Sequence, residues 1–468
     1  MIFSTFEFIF LFLPIVWLSY FGLHKAKFHT AAKWFLVASS FAFYAIGSAD
    51  FVLIFALSVA LNFLIGTKIA RMANGSKAKT MLFLTGILLN VALLGYYKYT
   101  DFFIANYNFL FGANVALKKI VLPIGISFFT FQLIAFQVDS FRGLTSSYSF
   151  LDYLLFITFF PQLIVGPIVH HGEMVPQFED SFRQCVNWDN VAKGLFVFTI
   201  GVAKKILLAD PLTTNAQSFF DVVASPVGAA SAWYYAVEYT ISYYFDLSAY
   251  ADMAIGIGLL FNVIIPENFN SPYKARNFQD YWQRWHMTLS RFLGSYIFRS
   301  VYRKGSRFRT YYVATMVTFF VSGFWHGAGW TFVVWGVVNG ILVCIASAMK
   351  RHSLSLPTIP AHILTLLGVV LTRILFVAKD FHQAGVVFQS LFNFGNHDFF
   401  VKQANGIYNK IAPISFVFSI FIIAFMPNTK ALSDRFKPTW SRLVPLALAA
   451  GLSVALMGRA SQFLYFQF

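Results

Sequence analysis

Apolar runs close to 20 residues recur from one end of this chain to the other. A run of that length coils into a helix about 30 Å long, the thickness of a bilayer's hydrocarbon core. A chain built from many such runs folds within a membrane. Charge content agrees, since 12% of the 468 residues are charged and 58% are apolar, where a soluble domain carries about 25% charged residues. These values exclude a soluble enzyme and a disordered protein. The net charge of +16 does not indicate nucleic acid, because Lys and Arg cluster in short segments between apolar runs, as orientation in a membrane requires. The two cysteines, Cys185 and Cys344, match no metal or redox spacing.

The runs predict an all-α polytopic membrane protein. Spans are expected near 6–23, 31–48, 50–67, 80–97, 120–138, 150–168, 191–209, 232–263, 311–328, 329–349, 361–378, 411–427 and 443–459. No polar linker divides them, so residues 1–468 read as one integral membrane domain. Lys25, Lys27 and Lys33 follow the first run, and Lys68, Arg71, Lys77 and Lys79 follow the third. This places the N-terminus outside the cytoplasm. The 266–310 segment carries nine Lys/Arg against Glu267 and Asp280, a net +7, and is predicted to be cytoplasmic. The two placements require an odd number of crossings before Pro266, one fewer than the eight runs supply. A re-entrant or broken run is therefore expected at 122–125, at Gly166-Pro167 or within 232–263, where irregular backbone is shielded by protein.

Chemistry is sought where an ionisable group interrupts an apolar span. Residues 311–349 contain no Asp, Glu, Lys or Arg and one histidine, His326, in Gly323-Phe324-Trp325-His326-Gly327-Ala328-Gly329. The glycines predict a turn or helix break there, with the alternative that His326 only caps it. The 281–293 stretch reads as one amphipathic helix, its faces continuing to Arg299. Trp282, Trp285, Leu289, Phe292, Leu293 and Tyr296 share the apolar face, and Arg284, Thr288, Arg291, Ser295 and Arg299 the polar one. His286 falls on the apolar side, lining a cavity or anchoring at the interface. Asp246 and Asp252 interrupt the 232–263 run and are expected to pair with an arginine, hold a histidine tautomer or cap half-helices. No metal site is expected: His170 and His171 are neighbours whose side chains diverge on a helix, and no HExxH spacing occurs. No Walker loop, dinucleotide fingerprint or GxSxG elbow is present. Two histidines without a nucleophile motif point to general base catalysis, an imidazole taking the proton of a hydroxyl that attacks an acyl carbonyl.

The same stretches carry a resemblance. Phe128-Phe129-Thr130-Phe131-Gln132, Phe160-Pro161-Gln162-Leu163-Ile164-Val165-Gly166-Pro167 and Tyr244-Phe245-Asp246-Leu247-Ser248-Ala249-Tyr250-Ala251-Asp252-Met253 come first. Glu267-Asn268-Phe269-Asn270-Ser271-Pro272-Tyr273, Trp282-Gln283-Arg284-Trp285-His286-Met287 and Gly323-Phe324-Trp325-His326-Gly327 follow in order. This set resembles the membrane-bound O-acyltransferases (MBOAT), in the bacterial branch of alginate O-acetylation and teichoic acid D-alanylation. The core motif region is 120–349. The resemblance implies a ring of roughly 11–13 tilted or re-entrant helices around a central funnel or tunnel. It implies His326 as the catalytic histidine and His286 as the second active-site position. Trp325, Trp285, Trp282, Asn268, Asp246 and Asp252 would line the substrate path. Arg284, Arg303, Lys304, Arg307 and Arg309 would face an anionic donor.

The implied donor is acetyl-CoA or another acyl thioester, with no bound cofactor. The implied setting is the bacterial inner membrane, surrounded by lipid. The expected partners are an extracytoplasmic acetyltransferase, polysaccharide synthesis and export machinery and an acyl carrier on the cytoplasmic side, with no nucleic acid. The acceptor would be a secreted polymer, alginate or cellulose. D-alanyl transfer to teichoic acid and a non-catalytic acyl transporter are the alternatives. Two departures stand out: Gly294-Ser295-Tyr296 replaces an Arg-Asp-Tyr of many relatives, and Asn339 stands where alginate-type relatives have a histidine.

The orientation is testable with single cysteines at Ser48 and Ser306 in a Cys-free background. An impermeant thiol reagent applied to intact cells should label position 48 and spare position 306. Reversed labelling would overturn the charge argument.

Overall fold

The computed structural model describes residues 2–145, 148–303, 305–396 and 407–459. All regular structure among them is helical. The chain divides into two units, residues 1–198 with 253–266 and residues 199–252 with 267–468.

Six helices among the described residues are long and apolar enough to cross a membrane: Phe8–Lys25, His29–Arg71, Lys77–Phe111, Trp330–Arg351, Thr358–Val377 and Ile407–Phe425. His29–Arg71 covers two of the expected runs, separated where Ser48 leaves helical geometry (φ −161°) ahead of the turn Ala49–Phe51. Ile126–Phe141 and Trp440–Leu456 are apolar but shorter.

In the first unit, amides tie three helices together. The side chains of Asn62 and Asn90 exchange hydrogen bonds of 3.1 and 2.7 Å, and Gln137 Nε2 donates to the carbonyl and side-chain oxygens of Asn62 at 2.9 and 3.0 Å. Without water as competitor, such bonds set which helix faces meet. The expected run 120–138 begins later, because Pro123 and Gly125, the latter left-handed at φ +74°, delay the helix to Ile126–Phe141. The run 150–168 is broken: Phe150–Thr158 gives way to one turn, Phe160–Leu163, and irregular backbone through Gly166-Pro167.

The expectation of a break within 232–263 fails. Ala229–Leu260 is one helix of 32 residues, roughly 48 Å at 1.5 Å per residue. Asp246 and Asp252 interrupt its apolar pattern without interrupting the backbone, because a lysine of the same unit meets each of them.

In the second unit, Phe308–His326 and Trp330–Arg351 form the hairpin that carries His326. The helix starts three residues before Tyr311 and ends on His326 itself, with Gly327 extended, so the glycine-flanked break is present. Gly323 and Gly336 let the two backbones touch. A Cβ on Gly323 would lie 2.4 Å from the Phe332 carbonyl oxygen, and one on Gly336 2.4 Å from the Phe319 carbonyl oxygen. Their own Cα atoms would each lie 3.0 Å from the other's added Cβ. Neither obstacle is a movable side-chain end.

Gly323→Ala and Gly336→Ala should therefore force the helices apart, at about 1–3 kcal/mol each. The expected readout is a lower melting temperature of the detergent-purified protein. A melting temperature equal to that of the parent would show that the hairpin yields without cost.

Candidate active site

His326 closes its helix as a buried side chain in an aromatic layer. Its ring lies 4.9 Å from Trp325, 5.1 Å from Trp335 and 5.4 Å from Phe376, edge to face in each case. Phe376 leads to Tyr243 at 5.2 Å, and Tyr243 stacks on Trp285 at 5.8 Å. Trp282 contacts Trp335 at 5.8 Å. Trp325, Trp285 and Trp282 thus belong to one layer with His326, and His286 follows Trp285 in the chain.

The 281–293 stretch is not one helix. Phe278–Arg284 and Met287–Leu293 are separate, and His286 between them is left-handed (φ +45°). The cause is the loop before them. The Asn268 carbonyl accepts the Met287 N–H at 2.9 Å, and Asn270 N–H donates to the Arg284 carbonyl at 2.9 Å. Asn268 Oδ1 accepts from the Thr288 N–H at 3.2 Å and the Thr288 hydroxyl at 2.9 Å. The loop thereby pulls the backbone out of helical register at Trp285–His286. It also corrects the expected faces, because Thr288, assigned to the polar side, is buried.

A left-handed histidine is uncommon and costs energy, so the turn is held in place by its surroundings. His286 Nδ1 is buried without a hydrogen-bond partner among the described residues. Burial pushes its imidazole down to about 3. It is therefore neutral at physiological pH, and a weak base.

Asp246 and Asp252 are paired with lysines rather than arginine. Lys205 Nζ lies 2.7 Å from Asp246 and 2.8 Å from Asp210, with all three side chains buried. Lys204 lies 2.6 Å from Asp252, which also accepts from the Thr429 hydroxyl at 2.6 Å. Neither lysine was singled out in the sequence. Among the donor-side residues, Arg284 donates to Asp280 at 2.6 Å, while Arg303, Arg307 and Arg309 are exposed. Lys304 lies outside the described residues.

The expectation that His170 and His171 diverge is wrong. His170 precedes the helix His171–Glu179 as its cap, in extended backbone, so its ring swings to 4.1 Å from that of His171. Both Nε2 atoms meet Asp139 Oδ2, at 2.8 and 3.0 Å. This trio has metal-ligand chemistry, its atoms lying within 4.8 Å of one another. Hydrogen bonding already fits it: the Gly172 N–H donates to His170 Nδ1 at 3.2 Å, which leaves the proton on Nε2, facing the carboxylate.

Sequence reasoning also passed over Arg373. It is the single Asp, Glu, Lys or Arg of the membrane-length helix Thr358–Val377, and it is buried. That isolation was the available signal.

Residues 79–378 match the profile of MBOAT, the membrane-bound O-acyltransferase family. The chain belongs to this family. It is 36% identical to the peptidoglycan O-acetyltransferase of Helicobacter pylori, across 100% of this chain and 98% of that protein. It is 32% identical to the probable alginate O-acetylase AlgI of Pseudomonas putida, across the full length of both. With the teichoic acid D-alanyltransferase of Bacillus subtilis it shares 25% identity over 55% of this chain and 69% of that protein. The protein is an O-acyltransferase, with an acyl donor as its co-substrate.

Asn268→Ala should loosen the His286 turn, because it strands the buried N–H and hydroxyl of Thr288 at about 1–3 kcal/mol. A fall in acyl transfer per molecule that remains in the membrane is the expected result. Unchanged transfer would show that the His286 geometry is not needed.

Proposed function

We propose that the protein transfers acetyl groups from a cytoplasmic acyl thioester, acetyl-CoA in the simplest case, for O-acetylation of an extracytoplasmic glycan. The observation that carries this reading is His326, buried at a glycine-flanked helix break within an aromatic layer. Such a layer excludes the water that would otherwise hydrolyse the thioester. His326 takes the proton of the attacking hydroxyl. His286, neutral and weakly basic, positions or polarises the acyl group. The exposed Arg303, Arg307 and Arg309 favour an anionic donor at the proposed cytoplasmic face.

Two acceptor glycans have support in the names of full-length relatives: peptidoglycan and alginate. Both present sugar hydroxyls beyond the inner membrane, so the same chemistry serves either. A separate extracytoplasmic acetyltransferase completes the delivery in this reading. D-alanyl transfer rests on a shorter match at lower identity.

His326→Ala should abolish transfer, since loss of a general base costs on the order of 10²–10⁴ in rate. His286→Ala should lower transfer less. Base-labile acetate on peptidoglycan and on secreted polymer is the measurement, with protein level followed by immunoblot. Normal acetylation by an abundant His326→Ala protein would remove the enzymatic role assigned to this histidine. The fraction that loses acetate identifies the acceptor.

A further inference from the structure

Arg373 is buried one helical turn from Phe376, the ring on which His326 packs. Its guanidinium is held by aromatic faces, with Cζ 4.1 Å from the centroid of Tyr243, 4.9 Å from Phe376 and 5.3 Å from Trp285. It also faces the phenol oxygens of Tyr243 and Tyr281, both buried and without a well-formed hydrogen bond. Its Nε is likewise buried, with no hydrogen-bond partner among the described residues. Arg373 forms no ion pair among the described residues. The nearest buried acid on the Tyr243 helix, Asp246, is 2.7 Å from Lys205.

A buried cation is normally met by a carboxylate, because a charge without one is costly. Aromatic faces and neutral phenols recover part of that cost. They leave the guanidinium with unused donor capacity and positive charge. The group suited to complete it is a small anion that arises in the same aromatic layer as the histidine.

We propose that Arg373 is a catalytic residue whose guanidinium stabilises the oxyanion formed when an acyl carbonyl is attacked beside His326. The inference rests on the acetyl-transfer reading above. In the step it serves, the acceptor hydroxyl oxygen bonds to the acyl carbon, His326 takes the hydroxyl proton, and the carbonyl π pair moves onto oxygen. Arg373 holds that negative charge. The pair then returns, the carbon–sulfur bond breaks, and the departing thiolate takes the proton from the imidazolium. The products are an ester and a free thiol. The preorganised charge acts where negative charge develops, so its contribution appears in the transition state rather than in binding.

The test compares Arg373→Met, Arg373→Lys and His326→Ala with the parent in cells lacking the chromosomal gene. The readout is the initial rate of base-labile acetate accumulation on envelope and secreted glycan, per immunoblotted protein. Melting temperatures of the detergent-purified variants are measured alongside. Methionine keeps the volume and removes the charge, so it should preserve protein level and melting temperature while the rate falls on the order of 10²–10³-fold. Lysine restores the charge and should recover a measurable part of that rate. A wild-type rate in Arg373→Met overturns the proposal. So does a loss in both variants that only follows reduced protein level and melting temperature, which marks a structural cation. If His326→Ala also acetylates normally, the enzymatic role of His326, on which the inference rests, fails. If only Arg373→Met does so, that reading stands and the role of Arg373 falls.

Discussion

Lys205 stands between Asp210 and Asp246, 2.8 and 2.7 Å away, with all three groups withdrawn from solvent. Removing the lysine would leave two buried carboxylates without their cation, at about 3–5 kcal/mol, so Lys205 fixes the helices that supply them. Lys204, its neighbour, reaches Asp252, six residues beyond Asp246. The two lysines lie in a π-helical stretch, Lys204–Ala209, whose wider turn directs consecutive side chains to separate partners. Together they hold the Asp246–Asp252 part of Ala229–Leu260, and Tyr243 sits one turn before it. Tyr243 stacks on Trp285 and receives Arg373. The ion cluster thus sets the wall against which the aromatic layer is built.

Two buried ionisable residues next to Trp285, His286 in the chain and Arg373 in space, differ in charge. The His286 imidazole is held neutral by burial, whereas Arg373 keeps its charge because guanidinium is not deprotonated in proteins. In the proposed reaction the neutral ring would orient the acyl group and the fixed cation would stabilise negative charge. One residue type serves neither pair of demands well: a histidine charged enough to hold an anion is no longer a base.

What the sequence made legible follows from where its signals arise. His326 stood out because it is alone among uncharged residues and bracketed by glycines, and the hairpin break there is a local consequence of those glycines. The break at His286 was illegible for the opposite reason. The 281–293 pattern is helical throughout, and the interruption comes from Asn268 and Asn270, which precede it by more than a dozen residues. Asp246 and Asp252 looked like interruptions of a helix; their lysines, 41 and 48 residues earlier, are what let the helix continue. His170 and His171 were judged as helix neighbours, yet His170 lies before the helix start, and Asp139 is 31 residues away. Arg373 carried a readable signal that the positive-inside pattern masked, because Lys and Arg were read as markers of orientation.

Asn339 shows how a departure from related sequences is absorbed. Its side-chain amide donates to the Trp335 carbonyl at 2.8 Å, one turn earlier in the same helix, and the residue is buried. Trp335 packs 5.1 Å from His326. An asparagine in this position neither takes nor returns a proton, so it supports the wall of the layer rather than the chemistry. With His286 too weak a base, the proposed reaction leaves His326 to accept the hydroxyl proton and to deliver it to the leaving thiolate. A single imidazole performs both steps only if donor and acceptor reach it in one closed environment. In that proposed reaction, the edge-to-face packing of Trp325, Trp335 and Phe376 around its ring would keep water from the proton it carries between them.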